Sequence, residues 1–402
     1  MAKLFPIEGK IQNYAWGGTT YIPNLLSVDK NGEQCAEYWL GGHSKAPSMI
    51  KTSEGEKSLD TYIEANLEPV LGHYIAEKFG RLPFLFKVLD VRDMLSIQVH
   101  PTKIEAEKGF KKENEAGIPV TAPNRNYKDD NHKPEIMVAL SEFWLLHGFL
   151  TEAKLKTVLE TVPEFNHLKT VFETGGYFGL YKHVMEESQE ETNKVLQPLV
   201  DRILPEYKAG KIAKSSPDYW AAKAVDSADD ASILDKGIYS IYFFNIVKAN
   251  KGEAVFQDAG IPHAYLEGQN MELMANSDNV LRGGLTPKHV DVPELLKHVA
   301  FEETIPNVMK GDLQDDGIER IYKSLAPDFQ LSLISLETSK TYKNTAKTAE
   351  IIIVIEGEVE AQDADAKVSL EKGQSVLLLA GCEYTIKPKA NSVLYKATAP
   401  VA

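Results

Sequence analysis

The chain has 402 residues, of which 43% are hydrophobic and 25% are charged, close to the average for soluble globular proteins. These proportions exclude collagen, a coiled coil and a fully disordered chain. Lysine and arginine number 44 against 58 aspartates and glutamates, so the formal net charge is −14. Because an acidic chain without a basic run binds nucleic acid and anionic membranes poorly, we expect neither as a partner.

The cysteine content and the apolar runs predict where the protein works. Cys35 and Cys382 are too few for a disulfide framework, which indicates a reducing compartment. The N-terminal residues lack the apolar core and cleavage site of a signal peptide. The longest apolar runs, at 351–355 and 375–381, have the length of strands, whereas a membrane span needs about 20 residues. We expect a soluble, cytoplasmic protein and, without an amphipathic surface stripe, a monomer.

The first part of the chain, 1–148, reads as short strands and loops. Short helices are predicted over 59–80, and the apolar bursts within 82–99 fit buried strands. The segment 102–134 is polar and rich in Lys, Glu, Asn and Pro, which predicts a long loop with a helical start. Loops of this length inside a compact domain are often functional.

The pattern changes to helical after residue 150. Apolar residues recur three and four apart, and Thr151 is suited to begin a helix. The spacing predicts a helical region over 151–235, inserted into a mainly β protein. Strand pattern returns at 238–248 and continues past residue 263. From about residue 325 to the end, short β-segments separated by Gly, Asp and Lys predict a small sandwich or barrel.

Two distant segments, 252–268 and 373–386, echo each other. Both begin with Gly and have a second Gly eight residues later; three residues further on, the first has His263 and the second Tyr384. This resembles the second half of the cupin signature, G-x5-P-x-G-x2-H, although its proline is replaced in both. No His-x-His lies just upstream of Glu350, so the C-terminal segment resembles a cupin without metal ligands.

Four residues form a candidate metal site. Gln98 and His100 alternate on a predicted strand and point the same way, although a His near a strand end is more often structural. Glu135 follows Pro134 at the start of an apolar run, and His263 follows the stiff sequence Gly-Ile-Pro. Two nitrogens and two oxygens suit zinc and leave positions for water or substrate.

One segment carries a family resemblance. The sequence GIPHAYLEGQNMELMANSDNVLRGGLTPKHVDVPEL (260–295) resembles the signature of type I mannose-6-phosphate isomerases, a zinc-dependent cupin family. Four further segments resemble other parts of that family in the expected order: IQNYAWGG (11–18), AEYWLGGHSKAPS (36–48), LPFLFKVLDVRDMLSIQVHPTK (82–103) and NHKPE (131–135). The resemblance covers residues 4–300, and beyond them the C-terminal part resembles the family only in pattern.

The resemblance implies a fold: two cupin (jelly-roll β-barrel) units plus an α-helical domain. The expected division is a catalytic cupin whose first part is 1–150, a helical insertion at 151–235, the second part of the catalytic cupin at 236–320, and a C-terminal cupin-like β domain without metal at 321–402.

The resemblance also implies roles for individual residues. One zinc ion per chain is expected on the four family ligand positions, which here are Gln98, His100, Glu135 and His263. The expected catalytic residues are Arg282, Lys133, His132 and Asp278. The expected substrate-binding residues are Lys87, Tyr265, Glu272 and Lys288. Trp16 and Glu37 lie in family motifs, where a structural role is equally compatible with their positions.

The implied activity is the interconversion of mannose 6-phosphate and fructose 6-phosphate, by proton transfer between C1 and C2 through a cis-enediol. The guanidinium of Arg282 stays protonated at neutral pH, which makes its role electrostatic rather than basic. The base must have a tunable pKa, and Lys133, His132 and zinc-bound water all stay open.

Two other functions are weighed against this one. The first is another metal-dependent cupin enzyme, such as an Fe- or Mn-dependent oxygenase or decarboxylase, which Gln98 in place of a His disfavours. The second is a non-catalytic sugar-binding cupin, which is disfavoured because all four ligand positions are filled. Nucleotide cofactors are not expected, since GxGxxG and Walker patterns are absent from the sequence.

Overall fold

The structure is a computed structural model and describes residues 2–228, 230 and 232–401. Its helices are α1 (Tyr21–Leu26), α2 (Leu59–Ala65), α3 (Leu67–Leu71), α4 (His73–Phe79), α5 (Lys103–Glu115), α6 (Glu152–Thr161), α7 (Leu168–Glu186), α8 (Gln189–Lys208), α9 (Pro217–Asp226), α10 (Gly237–Phe243) and α11 (Val292–His298), with a 3-10 turn at Pro163–Phe165.

The strands are β1 (Leu4–Glu8), β2 (Lys10–Gln12), β3 (Glu37–Leu40), β4 (Met49–Thr52), β5 (Gly55–Ser58), β6 (Phe84–Val91), β7 (Gln98–Val99), β8 (Glu135–Ala139), β9 (Phe143–Phe149), β10 (Phe244–Ala249), β11 (Ala254–Gln257), β12 (His263–Ala275), β13 (Leu281–Arg282), β14 (Asp312–Leu313), β15 (Glu319–Tyr322), β16 (Gln330–Leu336), β17 (Tyr342–Thr345), β18 (Glu350–Glu356), β19 (Glu358–Gln362), β20 (Lys367–Glu371), β21 (Ser375–Leu378), β22 (Glu383–Pro388) and β23 (Ser392–Thr398).

Three antiparallel sheets stack in layers. A nine-stranded sheet has the order β14-β15-β16-β23-β18-β21-β1-β4-β5, and a four-stranded sheet has the order β17-β22-β19-β20. A ten-stranded sheet follows β10-β9-β12-β6-β3-β2, with β7, β8, β11 and β13 pairing beside that path. The nine-stranded sheet lies in the middle, because one of its faces shares a core with the ten-stranded sheet and the other with the four-stranded sheet.

Strand β18 of the middle sheet has a continuous apolar sequence because both of its faces are buried. Ile351, Ile353 and Ile355 lie in the core shared with the ten-stranded sheet, whereas Ile352 and Val354 lie in the core shared with the four-stranded sheet. Alternate side chains of a strand point to opposite faces, so a strand buried on both faces needs apolar residues at every position. The predicted strand is therefore present, as the centre of a layered β structure.

The predicted helices between residues 151 and 235 are present as α6 to α9. They share one buried core with strands of the ten-stranded sheet and extend it away from the C-terminal strands. The strand predicted at 238–248 is wrong in its first half, because α10 occupies 237–243 and only β10 follows as a strand. All seven residues of α10 are buried. A run buried on every side has no polar face, so its periodicity cannot separate helix from strand.

The chain termini form one sheet. Strand β1 pairs with β21 near the C-terminus on one side and with β4 on the other. Strands β1, β4 and β5 thus extend the sheet built by the C-terminal strands, a pairing that the sequence did not predict. The remaining early strands, β2, β3, β6, β7, β8 and β9, lie in the ten-stranded sheet. Among the described residues, no helix is both long enough and apolar enough to cross a membrane.

The C-terminal core contains a buried charge network. The ammonium of Lys396 lies 2.9 Å from Glu319 Oε1 and 3.8 Å from Glu350 Oε1, and donates to the Tyr342 hydroxyl at 2.8 Å. The hydroxyl of Tyr384, the residue that replaces the histidine of the first cupin-like segment, donates to Glu350. Lys396 is 4% exposed, so its ammonium is the cation that neutralises these carboxylates inside the sandwich.

Replacing this internal cation should destabilise the protein strongly. The Lys396→Met variant leaves the Glu319 and Glu350 carboxylates buried without a cation, and breaking a buried ion pair in this way costs about 3–5 kcal/mol. We expect a clearly lower midpoint of urea unfolding. The control is Lys323→Met, which removes an 82%-exposed lysine paired with Asp312 and should change stability by less than about 0.5 kcal/mol. Equal midpoints for the two variants would contradict the role of Lys396.

Candidate metal centre

Three of the four predicted ligands meet at one point. The ligand atoms of His100, Glu135 and His263 lie within 4.8 Å of one another, and all three residues are buried. His100 Nε2 is 3.4 Å from one carboxylate oxygen of Glu135, and His263 Nε2 is 3.4 Å from the other. The ten-stranded sheet brings them together: His263 begins β12, Glu135 begins β8 and His100 directly follows β7.

Both imidazoles are anchored through Nδ1. His100 Nδ1 lies 3.0 Å from the Asn279 carbonyl oxygen, and His263 Nδ1 lies 2.9 Å from that of Ile261. A carbonyl only accepts hydrogen bonds, so each Nδ1 carries the hydrogen and each Nε2 presents a lone pair. Burial, reinforced by the Lys133 ammonium, lowers the pKa of His100 to about 4, which keeps this ring neutral at pH 7.

The two Nε2 atoms are buried and have no hydrogen-bond partner among the described residues. Buried polar atoms are rarely left unpaired, and a metal-ligating histidine characteristically uses its other nitrogen to contact a carbonyl. Burial opposes charge on Glu135, but Lys133 and His100 hold the pKa of its carboxyl well below its usual range. Two imidazoles that present Nε2 and a carboxylate suit zinc, so the residues present fit this metal.

Gln98, the fourth predicted ligand, lies beside this cluster. It stands opposite His263 in the β7–β12 pairing and opposite Arg282 in the β7–β13 pairing. Gln98 also lines the cavity that opens at the cluster, whose full lining is Glu37, Lys87, Leu89, Leu95, Gln98, Lys133, Glu135, His263, Ala264, Tyr265 and Glu272. Three of the four residues predicted to bind substrate, Lys87, Tyr265 and Glu272, are among them.

Lys87 is held between two carboxylates on the wall of the cavity. Its ammonium lies 2.9 Å from Glu272 and 3.4 Å from Glu37, on neighbouring strands β12 and β3. Burial opposes its charge, but Glu272 and then Glu37 raise the pKa of Lys87 above its usual value. The Trp39 indole donates to Glu37, which fixes that carboxylate. Lys87 is thus a charged, immobile donor facing the cavity.

Among the predicted catalytic side chains, Lys133 lines the cavity, whereas His132 and Asp278 are paired with residues outside its lining. Lys133 lies in the cavity, with its ammonium 2.6 Å from Glu135. His132, its neighbour in sequence, instead has Nε2 at 2.8 Å from the buried Asp328 and is not among the residues that line the cavity. Asp278 pairs with Lys45 at 2.6 Å. The structure therefore brings Lys133 to the metal ligands and does not bring His132 there.

Arg282 belongs to a group of cations near the cluster. Its guanidinium has no hydrogen bond or ion pair within residues 2–228, 230 and 232–401. Burial lowers the pKa of Arg282, and desolvation together with the charge of Arg282 lowers the pKa values of Lys128 and Lys288. Lys45 also contributes to the lowered pKa of Lys128. Cations this close repel one another, which an anion would relieve.

The glycines after Arg282 let its strand approach the rest of the protein closely. Gly284 has φ +117°, and a Cβ there would lie 2.6 Å from the backbone of Gly237 at the start of α10. Only glycine tolerates both the conformation and the contact. The Gly pair therefore sets the path of the chain directly beyond Arg282.

Three residues near the site were not predicted from the sequence. Lys45, Lys128 and His43 were not singled out for the site, and Glu37 was left between a structural and a functional role. Lys45 and His43 lie within the 36–48 segment that resembles the family, and that segment was the only available signal. Their meeting with Asp278 depends on loops far apart in sequence, so periodicity and spacing could not predict it.

Known proteins share this sequence and fold. Residues 4–151 match the family described as phosphomannose isomerase type I, catalytic domain. The mannose-6-phosphate isomerase of Escherichia coli (strain K12) is 36% identical over 376 residues, which are 92% of this chain and 93% of the relative. The chain belongs to the mannose-6-phosphate isomerase family.

Further relatives agree with this membership. The human mannose-6-phosphate isomerase is 32% identical over 421 residues, covering 96% of this chain and 95% of the relative. A crystal structure of mannose 6-phosphate isomerase from Salmonella typhimurium, bound to its substrate (F6P) and zinc, matches all of this chain and all of its own at a TM-score of 0.87 and 33% identity. The family predicted from the 260–295 segment is confirmed, and so is the mixed, mainly β fold class.

Proposed function

We propose that this chain interconverts mannose 6-phosphate and fructose 6-phosphate, with one zinc ion held by Gln98, His100, Glu135 and His263. The observation that carries the proposal is the pair of unpartnered Nε2 atoms that face the Glu135 carboxylate at the edge of a polar cavity. Family membership and the zinc and F6P in the Salmonella structure support it. Bound zinc would polarise substrate oxygens and orient the open-chain sugar.

The cations near the metal ligands are suited to bind the phosphate of the substrate. Arg282, Lys128 and Lys288 influence one another electrostatically, and Arg282 has no carboxylate partner in the described part of the chain. In a chain of net charge −14, a local excess of cations selects an anionic ligand. We place the phosphate of the substrate beside Lys128 and Lys288, with the carbonyl end towards Arg282 and the metal ligands.

Removing one of these cations should weaken substrate binding. Lys288 is exposed, and a hydrogen bond to a charged group is worth about 1.5–3 kcal/mol. We therefore expect Lys288→Ala to raise KM for mannose 6-phosphate by about tenfold, with a smaller change in kcat. Lys154→Ala, in an exposed position of α6, should leave both constants unchanged. A KM within twofold of the unmodified enzyme would exclude Lys288 from the phosphate site.

The chemical step moves a proton between C1 and C2 through a cis-enediol, which requires a base and stabilisation of the oxyanion. Lys133 is favoured over His132 as the side chain that exchanges the proton, because Lys133 Nζ lies in the cavity while His132 is bound to Asp328. Arg282 stabilises charge that develops on the substrate oxygens. Asp278 accepts a hydrogen bond from a sugar hydroxyl and thereby orients the substrate.

The C-terminal β region is proposed to be a second cupin unit that binds no metal. The sequence echo at residues 373–386 supports this, and so does the Lys396 ammonium between the two carboxylates that would otherwise hold a cation. We propose the helical insertion at 151–235 and the catalytic cupin as the other units, with β1, β4 and β5 completing the C-terminal sheet. Metal analysis should accordingly give one zinc per chain.

The test of the function is direct. The purified protein is analysed for bound metal and then assayed for fructose 6-phosphate formed from mannose 6-phosphate. Zinc together with turnover supports the proposal. Iron or manganese with no turnover would favour another metal-dependent cupin enzyme, and sugar binding without turnover would favour a non-catalytic cupin. We further propose that the protein is a cytoplasmic monomer. Its oligomeric state is tested by light scattering, which gives the molar mass of the purified protein in solution.

A further inference from the structure

The turn after β3 reaches the candidate catalytic residue Asp278. His43 in this turn is 6% exposed, and its Nδ1 accepts a hydrogen bond from the Lys45 backbone N–H at 3.3 Å. A neutral imidazole that accepts at Nδ1 carries its hydrogen on Nε2. His43 Nε2 lies 3.6 Å from Asp278 Oδ2, which is longer than a hydrogen bond, so its hydrogen meets the carboxylate as an electrostatic contact.

Asp278 is held by several contacts at once. Its Oδ2 lies 2.6 Å from the Lys45 ammonium as well as facing His43, and its backbone N–H donates to Asp129 at 2.7 Å. Its other oxygen, Oδ1, accepts no hydrogen bond from the described residues. Burial opposes the charge of Asp278, but Lys45 in the first place, and Lys133 more weakly, lower the pKa of its carboxyl, and its charge acts in turn on Lys128 in the cation group. One carboxylate oxygen is therefore restrained, and the other remains available to a ligand.

The same segment also reaches Lys87 in the lining of the cavity. The ring of His43 packs edge-on against Trp39, at 5.1 Å between ring centroids. The Trp39 indole donates to Glu37, which lies 3.4 Å from Lys87. Residues 37–45 thus contact both Asp278 and Lys87, and the buried ring of His43 is the link between them. This explains why a histidine with no role at the metal is buried here.

We propose that His43 is a positioning residue for Asp278: its Nε2–H and the Lys45 ammonium restrain Oδ2, so that Oδ1 is presented to a hydroxyl of the sugar phosphate. The inference rests on the proposed function, and specifically on the part given there to Asp278. His43 itself does not touch the reacting atoms. Small misplacements of a positioned group can lower a rate by as much as about a hundredfold, so the effect should appear in kcat.

The test compares amide replacements that each imitate one ring nitrogen. In His43→Gln the amide nitrogen reaches the place of Nε2, whereas in His43→Asn it reaches only the place of Nδ1. We expect His43→Ala to lower kcat by between about tenfold and a hundredfold, with zinc content unchanged and a smaller change in KM. His43→Gln should recover most of the lost rate, and His43→Asn should not.

A double-mutant cycle then shows whether His43 acts through Asp278. In the Asp278→Asn background, His43→Ala should cause no further loss of kcat. The proposal is overturned if the two losses multiply, if Asp278→Asn keeps full activity, or if Asn rescues as well as Gln. If His43→Ala does not fold, the Gln and Asn variants still decide. Failure of the proposed function is distinguishable, because the unmodified enzyme would then show no isomerase activity.

Discussion

Removing the metal with a chelator is expected to abolish isomerase activity, and adding Zn²⁺ is expected to restore it. The reason lies in the cluster itself: two imidazoles and a carboxylate converge, and the described residues offer no hydrogen-bond partner to either Nε2 atom. Lys133 is the nearest ammonium, at 2.6 Å from Glu135, but a single positive charge cannot replace a dication that polarises substrate oxygens. Activity and metal content should be measured on the same samples.

A ligand variant separates metal binding from general damage. His263→Ala should lower the zinc content well below one per chain and lower activity in proportion. His147 provides a matched control, because it is also buried and lies opposite His263 in the β9–β12 pairing, yet its ring contacts Gln257 rather than the cluster. His147→Gln should keep its zinc. Full isomerase activity in metal-free protein would refute the metal assignment.

Replacing Arg282 with alanine is expected to lower kcat by a factor of about 10²–10³. The side chain interacts with charge that appears in the transition state, and losing one such donor costs about 3–4 kcal/mol. Zinc content and melting temperature should stay near those of the unmodified protein, because no ion pair to Arg282 exists among the described residues. Asp278, the carboxylate nearest in sequence, is paired with Lys45 instead.

Two further variants test whether the guanidinium of Arg282 is required for the rate. Arg282→Lys should recover little of the rate, since a single ammonium cannot reproduce the planar fork of donors. Arg202→Ala removes a half-exposed arginine paired with Glu164, outside the site, and should leave kcat unchanged. If Arg282→Ala instead melts at a lower temperature with nearly normal kcat, Arg282 is a structural residue and its catalytic role is wrong.

Much of the fold follows from local pattern. Helices α2 to α9 and the strands β16, β18, β21 and β23 of the middle sheet appear where spacing or apolar runs predicted them, because burial on one side or on both leaves a periodic trace. The strand expected in place of α10 is the exception, since its residues are buried on all sides. The pairing of β1 with β21 left no trace in the local pattern, because Leu4 and Leu378 are far apart in sequence and meet only through tertiary folding.

Residue types and the family resemblance were enough to predict the kind of chemistry, from two histidines, a glutamate and a glutamine and from an arginine followed by two glycines. Only the tertiary structure decided which nitrogen of each histidine is free, since the carbonyls of Asn279 and Ile261 hold the other. It also separated Lys133 in the cavity from His132 on Asp328, and it placed the Lys396 ammonium between the buried carboxylates of Glu319 and Glu350. These outcomes depend on contacts between distant segments and on the direction of each side chain, neither of which is encoded in local spacing.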